Sequence, residues 1–256
     1  VVDIYIKKIT TMIYLKKFET QAAYNAAESS LILPNVSLIT ENNKVAYKPL
    51  SPTPPTPSHD YVEIGGIKWA TMNVGANSVT DTGLYFRWGD IQGYTAAQVG
   101  EGEGQKYFCE DDCIYYNDGS YTKYNEGDSL ITLESTDDAV TAAWGGNWRM
   151  PTVSEFIALG EAVTSAWTAD YQGSGVAGVV LTSNADGATL FFPACGYAYY
   201  DGVYDVGYNG SYWSSSLSAD YGGSDAYYLS FGSGGVNWVY YNSRCGGYPV
   251  RGILDE

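Results

Sequence analysis

The residues in this 256-residue sequence whose types suit metal or nucleophilic chemistry are few: four cysteines, a single histidine and some paired carboxylates. Cys109 and Cys113 form a CxxxC pair, but Cys195 follows 82 residues after Cys113 and Cys245 a further 50 after that. Structural zinc gathers its ligands as closely spaced pairs, and this spacing supplies one pair and two isolated thiols. Four cysteines are also too few for a disulfide-built scaffold. His59 stands alone in a proline-rich stretch, so it reads as a linker residue. There is then no histidine cluster for a metal and no base for a Ser or Cys nucleophile. Asp111-Asp112 and the run Asn117 to Ser120 (NDGS) offer oxygen ligands to a hard cation, yet no complete EF-hand loop is present. The expectation is a protein without catalytic residues, metal or cofactor, one that binds.

Charge narrows the partners. Thirteen basic against 29 acidic residues leave a formal charge of -16, which repels phosphate backbones bound through cation contacts and counterion release. Nucleic acid and anionic membrane surfaces are excluded as partners. No apolar run reaches the 18 or so residues of a membrane span, so no membrane insertion is expected, and the first 30 residues carry no signal-peptide pattern. The first methionine is Met12, and residues 1–11 are expected to lie upstream of the natural start.

The elements that must position a binding face fall into three parts. Ser51 to Ser58 (SPTPPTPS) has four prolines in eight residues and marks a linker at 51–59, a stiff spacer of roughly 20–25 Å in polyproline II. Residues 1–50 before it predict a small α/β module: a strand near Ile13 to Phe18, a helix capped by Thr20 and running through Ala27, and a hairpin VSLIT-ENN-KVAYK. So short a unit buries too little surface to stand alone. It is expected to attach to a larger structure or to oligomerise, and a trimer would multiply weak contacts by avidity. Residues 60–256 predict an α+β domain of two helices, short antiparallel sheets and long loops. Its hairpin turns at Gly65-Gly66, a strand is expected over Gly83 to Asp90, and helices over Ser135 to Trp144 and Val153 to Ala162. The first helix is expected to hold Asp137 and Asp138 at its N-terminal end. Thr152 and Glu155 form a capping box for the second. TLFFPA, AYYLSF and VNWVYY read as later strands.

The last quarter breaks from the rest in composition. From Gly187 to Asp255 there is no Lys, Gln, Glu or Met, while the first 186 residues contain 28 of them, a rate that predicts roughly ten in the tail. Twelve of the 25 tyrosines lie between Tyr197 and Tyr248, among Gly, Ser, Asn and Asp. That mixture is used by antibody paratopes, in which Tyr gives rigid amphipathic area and the small residues give adaptable hydrogen bonds. The genetic code sharpens the point. An Asn codon, AAC or AAT, whose adenines are replaced by any base reaches fifteen amino acids and excludes Lys, Gln, Glu, Met and Trp. The tail matches that set, with Trp213 and Trp238 as fixed framework.

The stretches GGIKWATMNVG, YFRWGD, WGGNWRMPTVSEF, YWSSS, AYYLSF and RCGGYPVRGI together resemble the Fibrobacter succinogenes major paralogous domain in its Bacteroidales style, from about Tyr61 to Ile253. The resemblance implies a C-type-lectin-like fold. With the tail composition, it implies a variable protein of a diversity-generating retroelement from a Bacteroides phage or prophage. Such a protein would be displayed on a phage tail, held to a virion component by its N-terminal module, and would bind a bacterial surface protein or glycan. The leader from Met12 to Leu50 resembles N-terminal segments of Bacteroides phage structural proteins, which points the same way.

The same resemblance divides the tail, about 195–248, into framework and variable positions. Tyr212, Trp213, Ser214, Ser215, Ala226, Leu229, Phe231, Val236, Trp238, Arg244, Gly247, Val250 and Arg251 would be framework. The ligand-binding face would comprise Tyr199, Tyr200, Asp201, Tyr204 and Asp205; Asp220, Tyr221 and Asp225; Tyr228, Ser230 and Gly232; and Asn237, Val239, Tyr240, Tyr241, Asn242, Ser243, Cys245 and Gly246. Strand alternation puts Tyr228, Ser230 and Gly232 on one face, opposite Tyr227, Leu229 and Phe231. A regular strand would turn Tyr240 inward with Val236 and Trp238. Arg251, flanked by apolar residues, is expected to tie down the last strand through charge-assisted bonds.

Other readings stay open at this level. The Glu-Pro-Asn and Trp-Asn-Asp tripeptides of calcium-dependent sugar-binding lectins do not occur. The paired-cysteine motif of the related formylglycine-generating enzymes is likewise missing around Cys195 and Cys245. A bacterial surface or fimbria-associated module of fixed specificity would carry the same domain at the cell surface. A host-encoded lectin would use the aromatic residues as stacking platforms for sugars.

Overall fold

The computed structural model describes residues 59–256 apart from 110–112 and 219–221, together with the backbone of four strands in residues 1–58. The chain divides into two compact units, Val1–Pro55 and Thr56–Glu256. In the first, β1 (Ile6–Lys8) pairs with β2 (Thr11–Ile13), and β3 (Val36–Glu41) pairs antiparallel with β4 (Lys44–Pro49). The second pair is the hairpin read from VSLIT and KVAYK, with Glu41 opposite Lys44. The strand expected near Ile13 to Phe18 and the helix from Thr20 to Ala27 lie largely outside the described residues.

The larger unit is mostly antiparallel sheet with two short α-helices, an α+β arrangement. It opens with β5 (Tyr61–Ile64) and β6 (Ile67–Asn73), joined at Gly65 and Gly66. Both glycines have positive φ, +63° and +78°, which the two-residue turn requires and which residues with a Cβ adopt at a cost. The closing strand β18 (Arg251–Leu254) returns to lie between β6 and β9 (Trp148–Arg149), so the two ends of the domain share one four-stranded sheet. Gly83 to Asp90 does not form the expected strand. Tyr85 and Phe86 each make an isolated bridge, to Tyr94 and Tyr248, because their backbone partners come from two separate loops.

Helix α1 (Ala139–Trp144) is shorter than the sequence predicts. Asp138 is its N-cap and accepts from the Val140 and Thr141 amides, which satisfies two orphan donors. Asp137 is therefore outside the helix. Its carboxylate instead gathers Lys123 Nζ at 2.6 Å and the hydroxyls of Tyr124 and Tyr115 at 2.5 and 2.7 Å. Helix α2 (Val153–Ala162) has the predicted capping box, with Thr152 and Glu155 bonding reciprocally. Glu155 also takes a two-pronged ion pair from Arg149.

A second sheet, β15 (Asn209–Leu217), β16 (Asp225–Gly232) and β17 (Gly235–Ser243), separates two cores. Neighbouring residues of a strand face opposite sides. Trp213 and Tyr228 accordingly join Trp88, Trp148, Tyr248 and Val250 on one side. Tyr212 and Leu229 join Trp69, Phe156, Phe192, Phe231 and Ile253 on the other. A three-stranded sheet, β10 (Val163–Thr168), β11 (Gly178–Ser183) and β12 (Thr189–Pro193), completes the second core.

Two irregularities shape the central sheet. Between Trp213 and Leu217, β15 carries two residues more than β16, and the displaced serines, all buried, bond elsewhere. Ser214 Oγ donates to the Tyr227 carbonyl, the Ser215 amide to the Pro151 carbonyl, and Ser216 Oγ accepts from the Val153 amide at the start of α2. On β17, the register passes from Ser230 opposite Asn237 to Tyr228 opposite Tyr240, one extra residue. Such a bulge reverses which side the following residues face.

His59, read as a linker residue, packs on the larger unit. Its ring stacks on Trp144 at 4.0 Å and meets Trp148 edge-on.

Candidate ligand-binding cleft

One cleft of about 510 Å³ lies over the side of the central sheet that bears Tyr228 and Ser230. Its walls are Tyr197, Tyr199, Asn209, Ser211, Tyr228, Ser230, Tyr240, Asn242, Ser243, Gly246 and Tyr248. The sheet supplies the floor. The small hairpin β13 (Tyr197–Tyr199) and β14 (Gly202–Tyr204) supplies one wall, and the turn after β17 supplies the other.

The bulge in β17 decides what this cleft contains. Before it, Val236 and Trp238 pack toward the second core, and the Trp238 indole lies against Gly160 of α2. After it, Tyr240 faces the cleft and is 50% exposed, not inward as a regular strand would have it. Its ring meets that of Tyr228 edge-on at 5.5 Å. Tyr228, only 6% exposed, forms the cleft floor and also joins the first core against Trp213 and Tyr248. Burial pushes the Tyr228 phenol up to about 12 and that of Tyr248 well above its ordinary value. Both therefore present neutral hydroxyls. Asn242 Nδ2 donates to the Tyr248 hydroxyl at 3.0 Å, so part of the cleft's polar surface is fixed in place.

Among the described residues, no Asp, Glu, Lys or Arg lines the cleft. In a chain of charge -16, that leaves flat aromatic faces beside amides and hydroxyls. These suit an uncharged polar ligand surface, by stacking and by hydrogen bonds.

Seven of the residues expected on the contact face come together here: Tyr199, Tyr228, Ser230, Tyr240, Asn242, Ser243 and Gly246. Tyr200 and Tyr204 are exposed on the adjoining hairpin, at 44% and 42%. The Tyr204 hydroxyl donates to Asp201, and Asn209 donates to Asp205. Tyr200 has a left-handed φ of 48°, an uncommon conformation for a bulky residue. It is held there by two backbone hydrogen bonds to Phe108. Tyr241 stacks beside Tyr240 and opposes Tyr227. Gly232 closes the β16–β17 hairpin opposite Gly235. Asp225, whose carboxyl is pushed up by burial, pairs with Ser243 across the sheet and accepts from Ser224.

Other residues are placed elsewhere. Asn237 and Val239 border a separate, open depression beside Ile157, Gly160 and Glu161 of α2. Cys245 is 2% exposed, its sulfur 3.5 Å from the Tyr121 hydroxyl. Arg244, which precedes it, is fully buried as well. Asp220 and Tyr221 lie outside the described residues, as does Asp111-Asp112. NDGS forms a tight hairpin turn between β7 (Tyr116–Asn117) and β8 (Ser120–Tyr121). Among the described residues, no group of three His, Cys, Asp or Glu is placed to hold a metal ion.

Four cleft residues escaped the sequence reading. Tyr197 and Tyr248 carry no sign that sets them apart from other tyrosines in the tail. Asn209 and Ser211 precede the YWSSS motif and alternate toward the cleft with Trp213, a signal the strand period offers.

The two arginines expected to be framework, Arg244 and Arg251, are both fully buried. Arg244 Nη1 donates to the carbonyls of Lys123, Tyr124 and Gly223, and its guanidinium lies 4.1 Å over Tyr121 and 4.8 Å over Trp88. Arg251, also fully buried, bonds Asn73 Oδ1 and the Ala70 carbonyl of β6 and lies 4.5 Å over Phe192. This ties the last strand to the opening hairpin. Burial lowers the pKa of both cations.

Comparison with known families places residues 181–252 in a match to a domain of unknown function (DUF8237). Neither the curated proteins nor the solved structures yield a match.

Proposed function

We propose that this chain is a ligand-binding protein whose second domain presents a diversified contact surface, centred on the tyrosine-lined cleft, to a protein or glycan on a bacterial surface. The reading extends to a C-type-lectin-like variable protein of a diversity-generating retroelement. It would be carried on a Bacteroides phage tail through the N-terminal unit, and it would act by binding, without catalysis. One observation carries it. Every residue lining the cleft falls between Tyr197 and Tyr248, inside the segment that lacks Lys, Gln, Glu and Met. Composition and geometry therefore point to the same segment, and the residues lining the cleft have the Tyr, Ser, Asn and Gly character of an adaptable contact surface.

The test is deep sequencing of the gene's 3′ end across its source population, with a search of the flanking DNA for a near-identical repeat and a reverse transcriptase. Substitutions concentrated at Tyr199, Tyr240 and Asn242, with Trp213, Trp238 and Arg251 constant, are expected. An invariant tail with no repeat would leave a surface module of fixed specificity in its place.

A further inference from the structure

Cys113 and Cys245 are 132 positions apart in sequence but share one phenol. The Tyr121 hydroxyl lies 3.7 Å from the Cys113 sulfur and 3.5 Å from the Cys245 sulfur. Both residues are nearly inaccessible, at 4% and 2% exposure. The Arg244 guanidinium covers the same tyrosine ring at 4.1 Å.

We propose that Cys113 and Cys245 form a disulfide that staples the turn after β17, one wall of the cleft, to the segment just before β7 that carries Cys113. Two sulfurs held against one hydroxyl have a far higher effective concentration toward each other than toward any thiol in solution. Cys109 and Cys195 lack this arrangement. Cys195 is enclosed by Tyr212 and Asn73, and Cys109 is only partly buried.

The co-reactant is a low-molecular-weight disulfide such as oxidised glutathione. One cysteine, as its thiolate, attacks a glutathione sulfur; an S–S bond forms to the protein and the released glutathione thiolate takes up a proton. The second cysteine, giving up its proton, then attacks the first cysteine's sulfur in this mixed disulfide, forming the Cys–Cys bond and expelling the remaining glutathione as a thiolate that takes up a proton. Two protein thiols are oxidised and one glutathione disulfide is reduced to two thiols.

The electrostatics define when this happens. In the folded thiol form, the hydrogen bond to Cys245 and burial push the Cys113 thiol well up, while Tyr121 and Arg244 pull the other way. The reactive thiolate is scarce in the closed fold, so the bond forms as the chain folds or opens locally.

The staple acts directly on the cleft wall. Ser243 and Gly246 flank Cys245 and line the cleft, and the Cys245 amide donates to Ser243 Oγ. Fixing Cys245 fixes the height of that wall.

The experiment is to refold the full chain in oxidised glutathione or in excess reductant, then read intact mass, linked peptides and thermal midpoint. Expected are a loss of two hydrogens, one cross-linked peptide joining Cys113 to Cys245, and a midpoint higher in the oxidised form by on the order of 10 °C. Cys113→Ser should abolish the link and its midpoint shift, while Cys195→Ser should preserve both. A fully reduced pair in oxidised glutathione, a Cys109–Cys113 link, or only mixed disulfides with glutathione would each overturn the proposal. Should Cys113→Ser fail to fold, the peptide map of the unaltered chain decides alone.

Discussion

Tyr240 stands directly across the sheet from Tyr228, the two rings edge-to-face 5.5 Å apart, yet one is half exposed and the other almost wholly buried. The pair joins the cleft to the core beneath it. Tyr228→Ala removes a ring packed on Trp213 and Tyr248 and should cost about 3–5 kcal/mol. Tyr240→Ala should cost less than about 1 kcal/mol while, on the proposed function, weakening adhesion to bacterial cells that carry the ligand. Urea denaturation of both variants beside a cell-binding assay separates the effects. Equal destabilisation would mean that Tyr240 is a packing residue.

Gly160→Ala should destabilise the domain although alanine is the better helix former. A Cβ at Gly160 would lie 2.7 Å from the Trp238 indole, closer than real contacts allow. Overpacking costs typically about 1–3 kcal/mol, which exceeds the roughly 1 kcal/mol gained in helix propensity. The thermal midpoint should fall and tryptophan emission should change. A rise in midpoint would show that the indole moves aside freely.

Arg251→Lys should be poorly tolerated despite keeping the charge. A lysine cannot reproduce the donors to Asn73 and Ala70 together with the flat face over Phe192. The expected loss is about 3 kcal/mol in urea unfolding. A loss below about 1 kcal/mol would mean that charge alone holds β18 in place.

Acid should weaken the domain partly through Glu155. Burial pushes its carboxyl up, but the Arg149 fork and the Thr152 hydrogen bonds outweigh this and hold it below its ordinary value. A carboxyl lowered in the folded state adds stability above its unfolded pKa, and that stability disappears as pH falls through the folded value. Glu155→Gln should therefore be less stable than the parent at neutral pH, with the difference shrinking below about pH 4. Chemical unfolding across pH 2.5–7 reads this directly. A gap that stays constant would remove the ion pair from the account.

The sequence exposes local devices better than long-range ones. The Gly65-Gly66 turn and the Thr152/Glu155 box are visible because each is closed within a few residues. The alternation of β16 is legible for the same reason, down to Leu229 and Phe231 entering one core. Tyr240 belongs to the expected contact face, and it reaches the cleft where a regular strand would turn it inward, because the extra residue in β17 is set by pairing with a different strand. Asp137 misleads in sequence. As one of two adjacent acids before a helix it resembles a cap, whereas its partners Lys123, Tyr124 and Tyr115 come from a loop with no periodic pattern. Cys245 satisfies the codon rule for a variable position, but it is buried beside the fully buried Arg244.

The bulge in β17 gives one strand two masters. Its first half answers to helix α2 through Trp238, and its second half answers to the cleft through Tyr240 and Asn242. Residues beyond the bulge can be exchanged without disturbing the helix contact, since the irregular step absorbs the change of facing. On the proposed function, new contact chemistry at the rim and the packing of the interior would fall on different positions of the same strand.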